Sequence, residues 1–244
     1  MTLALLLLAC SNQEATEAAR DEVIDAMEAH WDDAETMRDA AIVGDVDAYA
    51  KAAEALHDRL PLEGLPEELG PMEQQLKKAA WDARLATGPD DLGSTLGRVV
   101  AACGTCHEAA DVRPLIEPTL PPPVKGAAPP AEMLWHQVAV AELWVSILRH
   151  DADAWSQGMD KVGKAVYVVD DGTAAGAAQD ALEARLQAIA EKTRGADGTA
   201  ARGEAFGRLV ATCAACHAPP ELAPEEGGEE GKPKKKKKGK KKKK

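Results

Sequence analysis

Cys103-Gly104-Thr105-Cys106-His107 and Cys213-Ala214-Ala215-Cys216-His217 are two copies of the pattern C-x-x-C-H. Two thiols spaced in this way on a helical turn can each add to one vinyl group of a haem, and the histidine that follows can ligate the iron. We call them the first and second CxxCH motifs, and their histidines are the predicted proximal ligands. The residues predicted to hold two covalent haem c groups are Cys103, Cys106, His107, Cys213, Cys216 and His217.

The chain repeats itself around these motifs. Residues 30–49 align with residues 136–155 without a gap, 106 positions later, and residues 97–101 match residues 207–211, 110 positions later. A repeat of about 110 residues is too long for a solenoid unit and has the size of a domain. The sequence therefore predicts two similar domains, each ending in a CxxCH motif.

Each half is expected to form four helices. The chain is rich in Ala, Glu and Leu, only 3% of it is aromatic, and its apolar residues recur at helical spacing. The one short strand candidate, residues 165–169, lies where a helix end is equally plausible. In the first half, helices are predicted near residues 15–43, 47–60, 72–87 and 92–107, with Gly44 ending the first and Asp45 or Asp47 capping the second. In the second half they are predicted near residues 131–149, 153–169, 177–193 and 200–217.

Composition sets the domain boundaries. Residues 15–111 form the first unit and residues 131–217 the second. The proline-rich segment 112–130 between them is typical of an extended, semi-rigid spacer. Residues 218–244 are rich in Pro, Glu and Gly and then almost pure Lys, so we expect a disordered tail.

The amino-terminal residues indicate export. Residues 1–9 are apolar and are followed by Cys10, which is typical of a signal peptide cut before a cysteine. The basic stretch that usually precedes the apolar run is missing. Leu7-Leu8-Ala9-Cys10 resembles a bacterial lipobox. That resemblance implies lipidation of Cys10, a short lipidated segment 10–14, and attachment to the periplasmic face of a Gram-negative membrane. The Ser11 that follows favours the outer membrane.

The net charge of −12 combines two opposite regions, because residues 232–244 alone hold eleven Lys. Without them the chain has 18 Lys and Arg against 41 Asp and Glu, a net charge of −23. Such an acidic body disfavours nucleic-acid binding and favours redox partner proteins with a basic docking face. The Lys-rich end is expected either to stay solvated or to be attracted to an anionic membrane surface.

A four-helix unit with C-x-x-C-H near the end of its last helix resembles the class II cytochromes c, the cytochrome c′ family. The resemblance implies an all-α fold of two tandem antiparallel four-helix bundles, each enclosing one haem c. It also implies a proximal histidine from the last helix and a distal residue from the first. Many members have a basic residue four positions after the haem histidine, where this chain has Asp111 and Glu221. Contacts to the haem propionates are then expected from elsewhere, with Arg98 and Arg208 as candidates.

The sixth iron ligand is open to two interpretations. The first helix of each half carries Met-x-x-His, as Met27 and His30 and as Met133 and His136. Spacing of three residues puts both side chains on one helical face, so either type could reach the iron. Histidine would lower the reduction potential and methionine would raise it. We expect His30 and His136 slightly ahead of Met27 and Met133.

The function expected from these features is electron transfer by a dihaem cytochrome that is not itself an enzyme. The alternative is a gas-binding protein of the cytochrome c′ type, with an open axial position for NO or CO. A peroxidase would need a polar distal acid–base pair and usually two unlike haems. A zinc protein could use both C-x-x-C pairs in one Cys₄ site, but this leaves the histidine after each pair unexplained.

Overall fold

A computed structural model describes the backbone of residues 2–120, 131–164 and 173–217. This part of the chain contains eight α-helices and no strand, which confirms the predicted all-α fold. A short 3₁₀ turn, Glu67–Leu69, precedes the third helix. The helices are α1 Thr2–Ile42, α2 Val46–Asp58, α3 Gly70–Ala83, α4 Pro89–Ala109, α5 Ala131–Leu148, α6 Ala152–Lys164, α7 Ala174–Thr193 and α8 Gly198–His217.

The turn that ends the first helix of each half is built in the same way twice. Gly44 has φ 71° after α1, and His150 has φ 54° after α5, so both adopt the left-handed conformation. The next residue in each half is an aspartate whose carboxylate accepts a hydrogen bond from a backbone N–H of the following helix. These bonds join Ala48 to Asp45 at 2.9 Å and Ala154 to Asp151 at 2.8 Å. Asp45 is thus the helix cap, one of the two residues predicted for this role.

Helix α1 begins at Thr2, well before the predicted start near residue 15. The Leu- and Ala-rich run at its amino terminus has a high helix propensity, so the helix continues through it. Cys10 therefore lies within the α1 backbone. Within the described residues, no helix combines the length and the hydropathy needed to cross a membrane.

Several sequence expectations lie outside the described residues. They are the strand candidate 165–169, residues 121–130 of the expected spacer, and the tail 218–244. The described part of the spacer, residues 112–120, contains no helix. Arg149, which follows α5, holds this segment against the helix. Its Nε donates a hydrogen bond to the Pro114 carbonyl at 2.9 Å, and another guanidinium nitrogen donates to the Ile116 carbonyl.

The two halves share one continuous buried core instead of standing apart. Helices α4 and α8, which carry the CxxCH motifs, form the most extensive helix–helix contact in the described chain. They run antiparallel, because residues further along α4 meet residues earlier in α8. Gly97 faces Gly203, and Thr105 bonds to Thr199 with 2.9 Å between the hydroxyl oxygens. Helices α1 and α5 each contact both α4 and α8.

Large buried aromatic side chains connect the other helices to one another and to α4 and α8. Trp144 of α5 is buried between Trp31 and Phe206, with ring centroids 6.2 and 5.5 Å apart, and so joins α1, α5 and α8. Tyr49 and Trp155 occupy aligned positions of the repeat, and both are fully buried. The Tyr49 hydroxyl oxygen lies 2.7 Å from the Thr95 hydroxyl oxygen. Trp155 Nε1 donates a hydrogen bond to the Thr193 carbonyl at 2.9 Å.

Two of the tryptophans lie at the surface. Trp81 and Trp135 are largely exposed to solvent. Trp81 is covered on one face by the Arg84 guanidinium, 3.4 Å from the ring centroid.

Candidate functional site

The two CxxCH motifs form the last turns of α4 and α8. Because the cysteines and the histidine occupy positions i, i+3 and i+4 of a helix, they share one face of it. Burial raises the pKa of Cys103 and of Cys213 to about 12, so both thiols are protonated at neutral pH. The described cysteines are free thiols, as thioether formation requires.

The candidate distal histidines turn into the protein more fully than the candidate methionines. His30 and His136 are each only 7% exposed, whereas Met27 and Met133 are half-buried. Burial lowers the pKa of His30, which keeps its imidazole neutral and able to bind a metal. The Nε2 atom of His30 is buried and has no hydrogen-bond partner, a costly arrangement that a ligand would relieve.

In the second half the predicted residues come together around a buried carboxylate. His136 Nε2 lies 3.6 Å from Oε1 of Glu183 on α7. The charge of Glu183 also raises the pKa of Cys213 and of Cys216, after burial as the larger cause, which places it beside the second CxxCH motif. Burial lowers the pKa of His217, and nearby His136 lowers it further.

The first half brings the same types of residue together. Glu73 at the start of α3 is buried, and its Oε1 accepts a hydrogen bond from the backbone N–H of Leu62. Its charge raises the pKa of Cys106, again after burial, and it also acts on His30. A buried histidine, a buried glutamate and a CxxCH motif therefore meet once in each half.

Sequence reasoning missed both glutamates. Glu73 and Glu183 stand 110 positions apart, the same interval that separates the CxxCH motifs. Each begins the pattern Glu-x-x-Leu, as Glu73 to Leu76 in α3 and Glu183 to Leu186 in α7. The shared interval is the signal that identifies them, since nothing in either local sequence marks a buried carboxylate.

The two candidate distal sites are equivalent, but their proximal surroundings differ. Near the first CxxCH motif lies His150, from the turn after α5 in the second half. Its Nδ1 is 4.0 Å from Oε2 of Glu108, the residue after His107. Burial lowers the pKa of His107, and His150 lowers it further, while the Leu148 carbonyl acts in the opposite sense as a hydrogen-bond acceptor. His150 too was missed, because only the three-dimensional packing brings it to the first motif.

The two CxxCH motifs lie at opposite ends of the α4–α8 pair. Thr105, inside the first motif, contacts Thr199 at the start of α8. The cysteines of the second motif follow 14 and 17 residues later, which at the helical rise is about 21–26 Å along the axis. A single Cys₄ zinc site is therefore geometrically impossible. Among the described residues, no group of three or more His, Cys, Asp or Glu is arranged to hold a metal ion by itself.

The candidate propionate contacts receive no support from the structure. Arg98 and Arg208 are exposed on α4 and α8. Arg98 Nη1 lies 3.6 Å from the carboxylate of Asp82. Arg59 lies near the candidate distal side of the first half, since its positive charge lowers the pKa of His30, after burial as the larger cause. It also pairs with Asp33 on α1.

The donor set fits a haem c in each half. Each motif offers two free thiols and a neutral imidazole, and a second buried imidazole comes from the first helix of the same half. Comparisons with protein-family models, with curated proteins and with solved structures gave no match for this chain.

Proposed function

We propose that the chain is a dihaem c-type cytochrome that carries electrons and catalyses no reaction of its own. Cys103 and Cys106 would hold one haem with His107 as its proximal ligand, and the second motif would hold the other in the same way. When bound, each haem supplies a site for reversible one-electron transfer. The observation that carries the proposal is the repeated meeting of a CxxCH motif with a buried histidine from the first helix of its half.

Histidine is the sixth ligand in this proposal. The greater burial of His30 and His136 supports it over methionine. The buried carboxylates support it as well, because a metal-bound histidine usually donates its other ring N–H to a carboxylate, a carbonyl or a water. Nε2 of His136 lies 3.6 Å from Oε1 of Glu183, so this nitrogen would donate to the carboxylate and Nδ1 would bind the iron. Bis-histidine ligation closes the axial position that gas binding requires.

The same His–Glu pairs would resemble the distal acid–base groups of a peroxidase if the imidazoles stayed off the iron. The spin state of the ferric protein distinguishes these cases. A low-spin spectrum in both haems, with no hydrogen peroxide turnover, is the result expected for an electron carrier. High-spin haem that binds CO or NO would support the gas-binding alternative.

The proposed location is the periplasmic face of the outer membrane of a Gram-negative bacterium, with Cys10 as the lipidated residue. The Lys-rich end would add attraction to anionic lipid. The acidic body would dock on redox partner proteins through a basic face of the partner.

The decisive experiment is haem counting after expression in a host that matures c-type cytochromes. A pyridine haemochrome assay should give two haem c groups for each chain. The double variants Cys103→Ala/Cys106→Ala and Cys213→Ala/Cys216→Ala should each retain one, while Cys10→Ala should retain two. A folded, colourless wild-type protein, or cysteine variants with full haem content, would refute the proposal.

A further inference from the structure

We propose that His150, which belongs to the second half, is a positioning residue for the first haem: when haem is bound, its ring accepts a hydrogen bond from Nδ1 of His107 and so makes the first haem differ from the second. This inference rests on the proposed function, because it concerns how the proximal ligand of a bound haem is held.

His107 and His150 both have buried ring nitrogens that make no hydrogen bond. Nδ1 of His107 is buried and makes no hydrogen bond of normal geometry, although the Leu148 carbonyl is close enough to act on the pKa of this ring, and Nδ1 and Nε2 of His150 are also buried without a hydrogen-bond partner. The His150 ring lies against Glu108, the next residue after His107, with Nδ1 4.0 Å from the carboxylate. A buried donor or acceptor without a partner is destabilising, so hydrogen bonds among these groups would be favourable.

A simple proton arrangement pairs these atoms. A proximal histidine that binds iron through Nε2 keeps a proton on Nδ1 and donates it to a neighbour. One ring nitrogen of His150 can accept that bond, while the other donates toward Glu108. The bond to His150 makes the His107 imidazole a stronger donor to iron and thereby favours the oxidised state.

The backbone shows that His150 is held in place at a cost. It is one of two non-glycine residues with positive φ in the described chain, at φ 54°. This left-handed conformation disfavours most side chains, and glycine occupies it readily. The first half indeed has Gly44 at the aligned position, with φ 71°. A histidine in place of glycine here indicates a use for the side chain beyond the turn.

The repeat makes the difference between the halves specific. The α1–α2 turn that carries Gly44 corresponds to the α5–α6 turn that carries His150. The glycine has no side chain to offer a proximal histidine. Only the first haem can therefore receive this support.

Replacement of His150 by glycine tests the proposal, because it installs the residue that the same turn already uses in the first half. In the full dihaem protein, His150→Gly should raise the midpoint potential of one haem and leave the other unchanged. The two potentials are assigned from the double cysteine variants that keep a single haem. His150→Asn, which also tolerates positive φ but has a shorter side chain, should shift the same haem in the same direction.

Two further measurements separate this role of His150 from a general loss of stability. Thermal melting of His150→Gly should match or exceed that of the wild type, since glycine relieves the strained turn, so a potential shift cannot be ascribed to unfolding. His57→Ala, a histidine on α2, should change neither potential. Unchanged potentials in His150→Gly would overturn the proposal and assign the His107 proton to the Leu148 carbonyl. Equal shifts in both haems would overturn it as well, whereas a protein without haem would refute the proposed function instead.

Discussion

The carbonyl oxygen of Gly203 lies 2.4 Å from the point that a Cβ atom on Gly97 would occupy. The same closeness recurs where Gly93 meets Gly207, at 2.2 Å from the corresponding point. These glycines form the series Gly93, Gly97 and Gly203, Gly207, with three residues between members in each helix. The backbones of α4 and α8 can approach so closely only because these positions have no side chain.

Gly97→Ala should destabilise the protein by about 1–3 kcal/mol, because the added methyl group meets backbone atoms that cannot move aside easily. Chemical denaturation monitored by far-UV circular dichroism gives the change in unfolding free energy. The matched control is Gly195→Ala, since no atom lies within 4 Å of a Cβ placed there. Equal stability of the two variants would mean that α4 and α8 do not pack as described.

The proposed bis-histidine ligation predicts that removal of a distal histidine opens one axial position of the iron. His30→Ala is expected to convert one of the two haems from low-spin to high-spin and to create one CO-binding site in the ferrous protein, because water is a weaker ligand than imidazole. Absorbance spectra and CO titration measure both effects. Met27→Ala, on the same helical face, is the control and should retain two low-spin haems. The reverse outcome would make methionine the ligand.

Tyr49 should make the free energy of unfolding depend on pH in the alkaline range. Burial raises its pKa above the usual value near 10, although the hydrogen bond with Thr95 acts the other way. Above pH 10 the unfolded chain loses this proton while the folded chain keeps it, so stability falls as pH rises. Tyr49→Phe should cost about 1 kcal/mol at pH 7 for the lost hydrogen bond. This difference should shrink when denaturation is repeated at about pH 10.5, just above the ordinary tyrosine pKa, and a constant difference would contradict the burial of the hydroxyl.

Lipidation at Cys10 predicts a change in cell fractionation. The Cys10→Ala variant should be lost from the membrane fraction. Haem-stained gels of the cell fractions measure this loss. A second variant without residues 232–244 separates the contribution of the Lys-rich end. Membrane recovery that persists when both changes are combined would refute lipidation at this residue.

The helical framework was predictable because it depends on local information. Helical spacing of apolar residues, Gly44 as a helix stop and Asp45 as a cap each act within a few residues. Composition also placed the start of α5 close to Ala131. The predicted start of α1 near residue 15 was wrong, because an apolar leader that resembles a signal peptide also has a strong helix propensity.

The packing between the halves was not predictable in the same way. The repeat showed that Gly97 and Gly207 are equivalent, yet equivalence in sequence does not show that they meet across an interface. Glu73 and His150 illustrate the same limit at the candidate site. Each lies near a CxxCH motif because segments distant in sequence pack together. The local sequence around Glu73 or His150 does not indicate that the side chain is buried.

The antiparallel crossing of α4 and α8 has the geometry of a symmetric dimer interface, in which one surface patch meets its own copy. Two identical subunits would be forced to carry the same residue in both turns, so a change at one site would always be made at the other. Fusion into one polypeptide lifts that constraint and allows each half to diverge alone. A histidine in one turn and a glycine in the other is a difference that a pair of identical chains cannot encode, and under the proposed function it would give the two haems unequal potentials.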